Sequence, residues 1–126
     1  YKAKEKSPSD FYRDLFMFSF LANGMNVADI LRLKYKNIQD GTITFIREKT
    51  KRTSKGQKIT VDVTSRMHEI INKWGNSDLG KEIFVFPILN DDMSWQDKYY
   101  HIRQQTKYLN DYIKKIAKEV AKELKS

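Results

Sequence analysis

The densest chemistry in the sequence is basic. Arg47, Lys49, Lys51, Arg52, Lys55 and Lys58 stand within twelve residues, opposed by Glu48 alone, so this stretch carries +5 of the chain's net +8. Cations at that density suit contacts to phosphate oxygens, which dominate affinity for nucleic acid without reading its sequence. The same run also reads as a solvated loop with no ligand. A second basic stretch, Lys114 to Lys125, holds five lysines and two glutamates. The spacings Lys115 to Glu119 and Glu119 to Lys122 are those of an ordinary solvated helix face.

Other reactive side chains are few. His68 and His101 are the only histidines, and neither has a Ser, Cys or acidic partner at a spacing that would activate it. Each reads as structural or surface. There is no cysteine, which excludes disulfides, thiolate nucleophiles and thiolate metal sites. No glycine-rich phosphate loop or dinucleotide fingerprint is present. Asp91-Asp92 is a loop pair without a calcium-binding pattern around it. No metal and no cofactor is expected.

Local patterns predict the elements that position these residues. Pro8 suits the first turn of a helix capped by Ser7 or Ser9. Phe11 to Ala22 is apolar around most of its circumference, as a central core helix is. Asn23-Gly24 ends it, because both residues tolerate left-handed backbone. Asn26 then reads as an N-cap, with Asp29 three residues on, where an acid favours a helix start. Val27, Ile30, Leu31 and Leu33 give that short helix its apolar face.

Asp40-Gly41 is a turn signal. Thr42 to Arg47 and Lys58 to Val63 alternate as half-buried strands do, which makes the basic run the tip of a β-hairpin. Thr64 or Ser65 caps a helix carrying Met67, Ile70, Ile71 and Trp74, closed by Gly75-Asn76. A loop follows, containing Ile83 to Phe86 and ending at Pro87. Ser94 with Asp97 signals a last, long helix. Its stripe of Tyr108, Leu109, Tyr112, Ile113, Ile116, Val120 and Leu124 predicts one continuous apolar face.

The 126 residues suffice for one domain, and 40% hydrophobic with 13% aromatic content argues against disorder. The expected class is α+β, mainly α-helical, with a small antiparallel hairpin or three-stranded sheet. Residues 1–7 are expected to fray, 8–93 to hold helices plus hairpin, and 94–124 to form the long helix. No apolar run approaches the roughly 18 residues of a membrane span. Nothing resembles a signal peptide either, so a cytoplasmic protein is expected, bacterial and nucleoid-associated when bound. A chain starting at Tyr1 reads as a piece of something longer.

The order of these elements adds a resemblance. A buried helix, then Asn-Gly-Met-Asn-Val-Ala-Asp-Ile-Leu-Arg-Leu (23–33), then a hairpin with Arg-Glu-Lys-Thr (47–50) resembles the catalytic domain of tyrosine recombinases, the phage integrase family. Gly24, Asp29, Ile30 and Leu33 match in kind that family's Gly-x-Arg-x-x-Glu-Leu-x-x-Leu signature. Leu33 to Ile38 looks like its lead into the first strand. Lys49-Thr50 matches the end of its hairpin strand. Ile83 to Pro87 is similar to the segment before its last catalytic helices. The resemblance runs from about Phe11 to Leu124 and covers the N-terminal part of the catalytic domain.

That resemblance implies DNA cleavage and rejoining through a 3′-phosphotyrosyl intermediate, without metal or cofactor. It makes Lys49 the general acid for the departing 5′ oxygen and Asp29 a buttress of the active site. It makes Arg47, Lys51, Arg52, Lys55 and Lys58 contacts to double-stranded DNA, on which the parent protein self-associates.

Two departures stand out. The family's first catalytic arginine corresponds to Asn26, which donates hydrogen bonds but carries no charge and has no bidentate fork. The family's His-x-x-Arg motif and nucleophilic tyrosine correspond to nothing in this chain, since Gln104 follows His101 where the arginine should stand. The expected piece is therefore inactive alone. Its rivals are a non-catalytic DNA-binding module of the same fold and a protein-interaction domain built on the long helix.

Overall fold

Ser7 opens the first helix. Its hydroxyl accepts the N–H of Asp10 at 3.3 Å while the Asp10 carboxylate accepts the N–H of Ser7 at 3.4 Å. This reciprocal cap satisfies two N–H groups that the helix itself leaves without partners. The computed structural model describes residues 7–47 and 57–125. Ser7, expected within a fraying segment, is thus tied into helix α1, Pro8–Leu21. Asn23 (φ 59°) and Gly24 (φ 81°) turn the chain left-handed at its end, where Gly24 N–H donates to Ser19 O at 2.8 Å.

Helix α2, Val27–Leu31, follows directly. A 3-10 turn at Tyr35–Asn37 leads into strand β1, Ile38–Gln39. Asp40 (φ 53°) and Gly41 (φ 72°) form a two-residue connection with both φ positive, the geometry that matches the twist of a tight hairpin. Strands β2, Thr42–Ile46, and β3, Lys58–Asp62, complete an antiparallel sheet in the order β1-β2-β3. Ile43 lies opposite Val61 and Phe45 opposite Ile59, so the apolar positions of both strands share the core face. The second strand of the hairpin ends one residue earlier than its alternation suggests, since Val63 leaves the ladder to donate to Gly41 O at 2.8 Å.

Helix α3, Ser65–Trp74, is capped by the Thr64 hydroxyl, which accepts Met67 N–H at 3.2 Å. Gly75 ends it under close constraint: a Cβ there would meet Ile71 O at 2.5 Å and the Tyr35 hydroxyl at 2.9 Å. Residues 83–85, read from sequence as loop, run alongside residues 33–35. Val85 N–H donates to Leu33 O at 2.9 Å and Tyr35 N–H to Ile83 O at 3.0 Å. Phe84, Val85 and Phe86 are buried there. Helix α4, Trp95–Lys125, starts at Ser94, whose hydroxyl accepts Asp97 N–H at 3.1 Å. Its 31 residues span about 46 Å at the α-helical rise.

Leu15, Phe18, Ile30, Leu31, Ile43, Met67 and Phe86 meet in one core, to which α4 adds Ile102 and Leu109. The apolar stripe of α4 does not stay buried to Leu124. Residues 114–125 are all exposed, Leu124 at 81%. The helix outruns the elements it packs against, α1 and α2, so an amphipathic pattern alone overstates what it buries.

One charge goes against the apolar character of α1. Asp14, 2% exposed, accepts the Trp74 indole N–H at 2.8 Å. It also pairs with Arg13 at 3.3 Å, Lys73 at 3.5 Å and Arg66 at 3.6 Å. A buried carboxylate with this many donors ties α1 to α3. Among the described residues, no helix is long and apolar enough to cross a membrane.

Candidate nucleic-acid interface

Helix α2 is only five residues long, too short to hold itself together without packing and a cap. Asn26 supplies the cap: its Oδ1 accepts the N–H of Asp29 at 2.9 Å. Val27, Ile30 and Leu31 supply the packing. Asp29 itself is 5% exposed, a charged side chain turned inward from a one-and-a-half-turn helix.

Asp29 lines a shallow depression with Arg32, Leu33, Lys36, Asn37, Phe45 and Ile46. Arg32 lies three residues past Asp29, on the same side of the backbone spiral. Asn37 holds the floor in place. Its Oδ1 accepts Lys34 N–H at 2.8 Å and its Nδ2 donates to Thr44 O at 3.1 Å, joining the 3-10 turn to β2. The structure therefore sets the expected buttress, Asp29, beside the outgoing end of β2. Arg32 and Lys36 were not singled out from sequence. The signal for Arg32 is its i+3 spacing from Asp29. Lys36 joins through the turn, which no periodicity shows.

At the same end of the sheet, Ile46 pairs with Lys58 across the ladder. Arg47 follows one residue beyond that pair, and both Arg47 and Lys58 are exposed. Lys49, Lys51, Arg52 and Lys55 lie outside the described residues. Lys36 also reaches Glu82 at 3.1 Å. That hydrogen bond holds the Glu82 carboxyl below its ordinary value, with Lys34 adding to the effect and desolvation opposing it.

The remaining ionisable candidates lie away from this depression. Asp91 pairs with Lys34 at 3.3 Å and Lys98 at 4.0 Å, pinning the loop before α4. His68 is exposed beside a groove that also includes Tyr35 and Gly75. His101 meets the Tyr100 ring edge-on at 5.5 Å. The Tyr12 hydroxyl donates to Gln105 at 2.8 Å. Burial pushes that phenol up, the charge of Tyr108 adds to this, and the bond to Gln105 opposes it. The Tyr35 hydroxyl donates to Asn76 O at 2.6 Å, and burial raises its pKa as well. Among the described residues, no group of three His, Asp or Glu side chains is placed to hold a metal ion.

Comparison with protein-family models, with curated proteins and with solved structures finds no match to this chain.

Proposed function

We propose that the chain is the DNA-binding, N-terminal part of a recombinase catalytic domain of the tyrosine recombinase kind. The parent protein cuts and rejoins duplex DNA through a 3′-phosphotyrosyl intermediate. The observation that carries this reading is the meeting of Asp29 and Arg32 with the outgoing end of β2, three residues before Lys49. In the resemblance, the buttress carboxylate and the general-acid hairpin belong to one active site. Lys49 protonates the leaving 5′ oxygen. Arg47, Lys51, Arg52, Lys55 and Lys58 hold phosphates. None of the seven tyrosines is proposed as the nucleophile.

A second reading is favoured by one contact. The Oδ1 of Asn26 is committed to Asp29 N–H, so the residue at the family's first arginine position serves its helix. A module that keeps the fold and binds DNA without cutting it would need no more than that.

Titration of labelled duplex DNA at several salt concentrations tests the shared part of both readings. A hairpin meeting about three to five phosphates gives a log–log salt slope of about −3 to −5. A flat salt response, or no binding at low salt, overturns both. Cleavage by the full recombinase, and its slowing by Lys49→Ala, separates them.

A further inference from the structure

The first three turns of α4 carry a face of large, exposed aromatic side chains. Trp95 is 72% exposed, Tyr100 57% and Tyr99 48%. The rings of Trp95 and Tyr99 stack with centroids 5.7 Å apart and planes within 6°. The Arg103 guanidinium sits 5.6 Å from the centroid of Tyr99. Gln104 Nε2 donates to the Tyr100 hydroxyl at 2.9 Å. Tyr99, Tyr100, Arg103, Gln104 and Lys107 together line a shallow groove. Residues 95, 99, 103 and 107 follow one another at i, i+4 spacing, so ring, ring, guanidinium and ammonium form a single row.

We infer that this row is a stacking platform for unpaired nucleobases, occupied by a single-stranded segment of nucleic acid. Three features choose that occupant. Tyr99 backs Trp95 from within the row, and the outer side of Trp95 and the Tyr100 ring stay open beside Arg103, a pairing of rings and cation that matches a ligand alternating flat bases with anionic phosphates. The bases of an intact duplex already stack on each other and present only edges, so the ring faces here meet only bases that have left the stack. Arg103, and Lys107 with its Asp111 partner at 3.3 Å, sit on a chain of net +8, a balance that favours a polyanion over a second copy. The inference goes beyond the proposed duplex contacts of the hairpin and does not rest on them.

The chain contains two tryptophans, which gives the test its readout. Trp74 is partly buried and bonded to Asp14, so it contributes a steady background. The probe is an oligothymidylate of about 12 nucleotides, within the usual span of single-strand sites. It should quench tryptophan emission of the native chain and not that of Trp95→Phe. By anisotropy, Trp95→Ala and Tyr99→Ala should each weaken oligothymidylate binding by about 5- to 150-fold, and duplex binding by less than about twofold. Both positions are exposed, and unchanged far-UV dichroism verifies that the fold is intact.

Absence of quenching overturns the inference. So does an equal loss of duplex and single-strand affinity, which marks the face as general electrostatics. So does a change in sedimentation with oligothymidylate affinity unchanged, which marks it as a contact between copies. If duplex binding is missing while the quench and its loss in Trp95→Phe persist, the hairpin reading falls and the stacking platform stands.

Discussion

The side-chain oxygen of Asn26 accepts the backbone N–H of Asp29 at 2.9 Å. This contact holds the start of α2 and so sets where the inward-turned Asp29 lies. Asn26→Ala should destabilise the fold by about 1 kcal/mol, the usual worth of an N-cap, whereas Asn26→Ser should recover most of it. Urea denaturation measures both. Equal losses in the two variants would show that the cap is not what Asn26 contributes. Asn26→Arg gives up the cap and adds a charge, so it should lower stability by a similar amount and strengthen duplex binding at low salt.

If the proposed recombinase reading holds, its most specific expectation falls on Lys49, tested in the full recombinase that the reading posits. Lys49→Ala should slow cleavage by about 10² to 10⁴ if a general acid is lost. DNA binding should weaken only as much as one phosphate contact. Replacing the leaving 5′ oxygen with sulfur removes the need for a proton, so cleavage of that substrate should be nearly indifferent to Lys49→Ala. Equal slowing on both substrates would mean that Lys49 positions the phosphate rather than protonating the leaving group.

Asp14 is the structural carboxylate of the molecule, linking Trp74 on α3 to α1 at 2.8 Å. Trp74→Phe keeps the ring and removes the donor. It should cost about 1 to 3 kcal/mol, the penalty for depriving a buried polar group of a hydrogen bond. Asp14→Ala should cost more, because Lys73 and the indole N–H both lose their acceptor. A loss under about 0.5 kcal/mol for either, the range of an ordinary surface substitution, would show that the network is dispensable.

The two halves of α4 should respond differently to truncation of apolar side chains. Leu109→Ala removes a buried contact and should cost about 2 to 5 kcal/mol. Ile116→Ala and Val120→Ala lie on the exposed stretch and should stay within about 0.5 kcal/mol. Thermal or urea unfolding of the three variants compares them directly. A large loss at Val120 would require a partner for that half of the helix.

Tyr35 links stability to alkaline pH. Burial raises its phenol above the ordinary value of 10.0 in the folded chain. The unfolded chain therefore loses this proton first. The stabilisation is fully present below about pH 10 and is lost as pH rises through the folded value. Tyr35→Phe should be less stable at neutral pH, having lost the bond to Asn76 O, and its stability should decline less as pH rises above about 10. A parallel decline in both proteins would assign the alkaline loss to other groups.

The elements were legible wherever one stretch of chain carries its own signal. Ser7, Asn26, Thr64 and Ser94 cap the helices that their types and spacings predict, because a cap is made with residues two or three positions away. Asp40-Gly41 turns as it reads, because two consecutive positive φ angles are a local demand. The alternation of Ile43, Phe45 and Val61 determined which face of the hairpin meets the core.

Only the tertiary structure decided which side chains stand together. Asp14 reads as a stray charge on an apolar helix until α3 brings Trp74, Arg66 and Lys73 to it. Arg32 and Lys36 join Asp29 at the end of β2 because a 3-10 turn, tied to Thr44 through Asn37, folds them there. The stripe on α4 is uniform in sequence, yet α1 and α2 cover only its first half. Amphipathicity states what a helix could bury, and the neighbours' length decides what it does bury. The basic hairpin run belongs to the other kind of knowledge. Its charge follows from residue types alone, since like charges along twelve residues make a cationic segment in any arrangement the chain adopts.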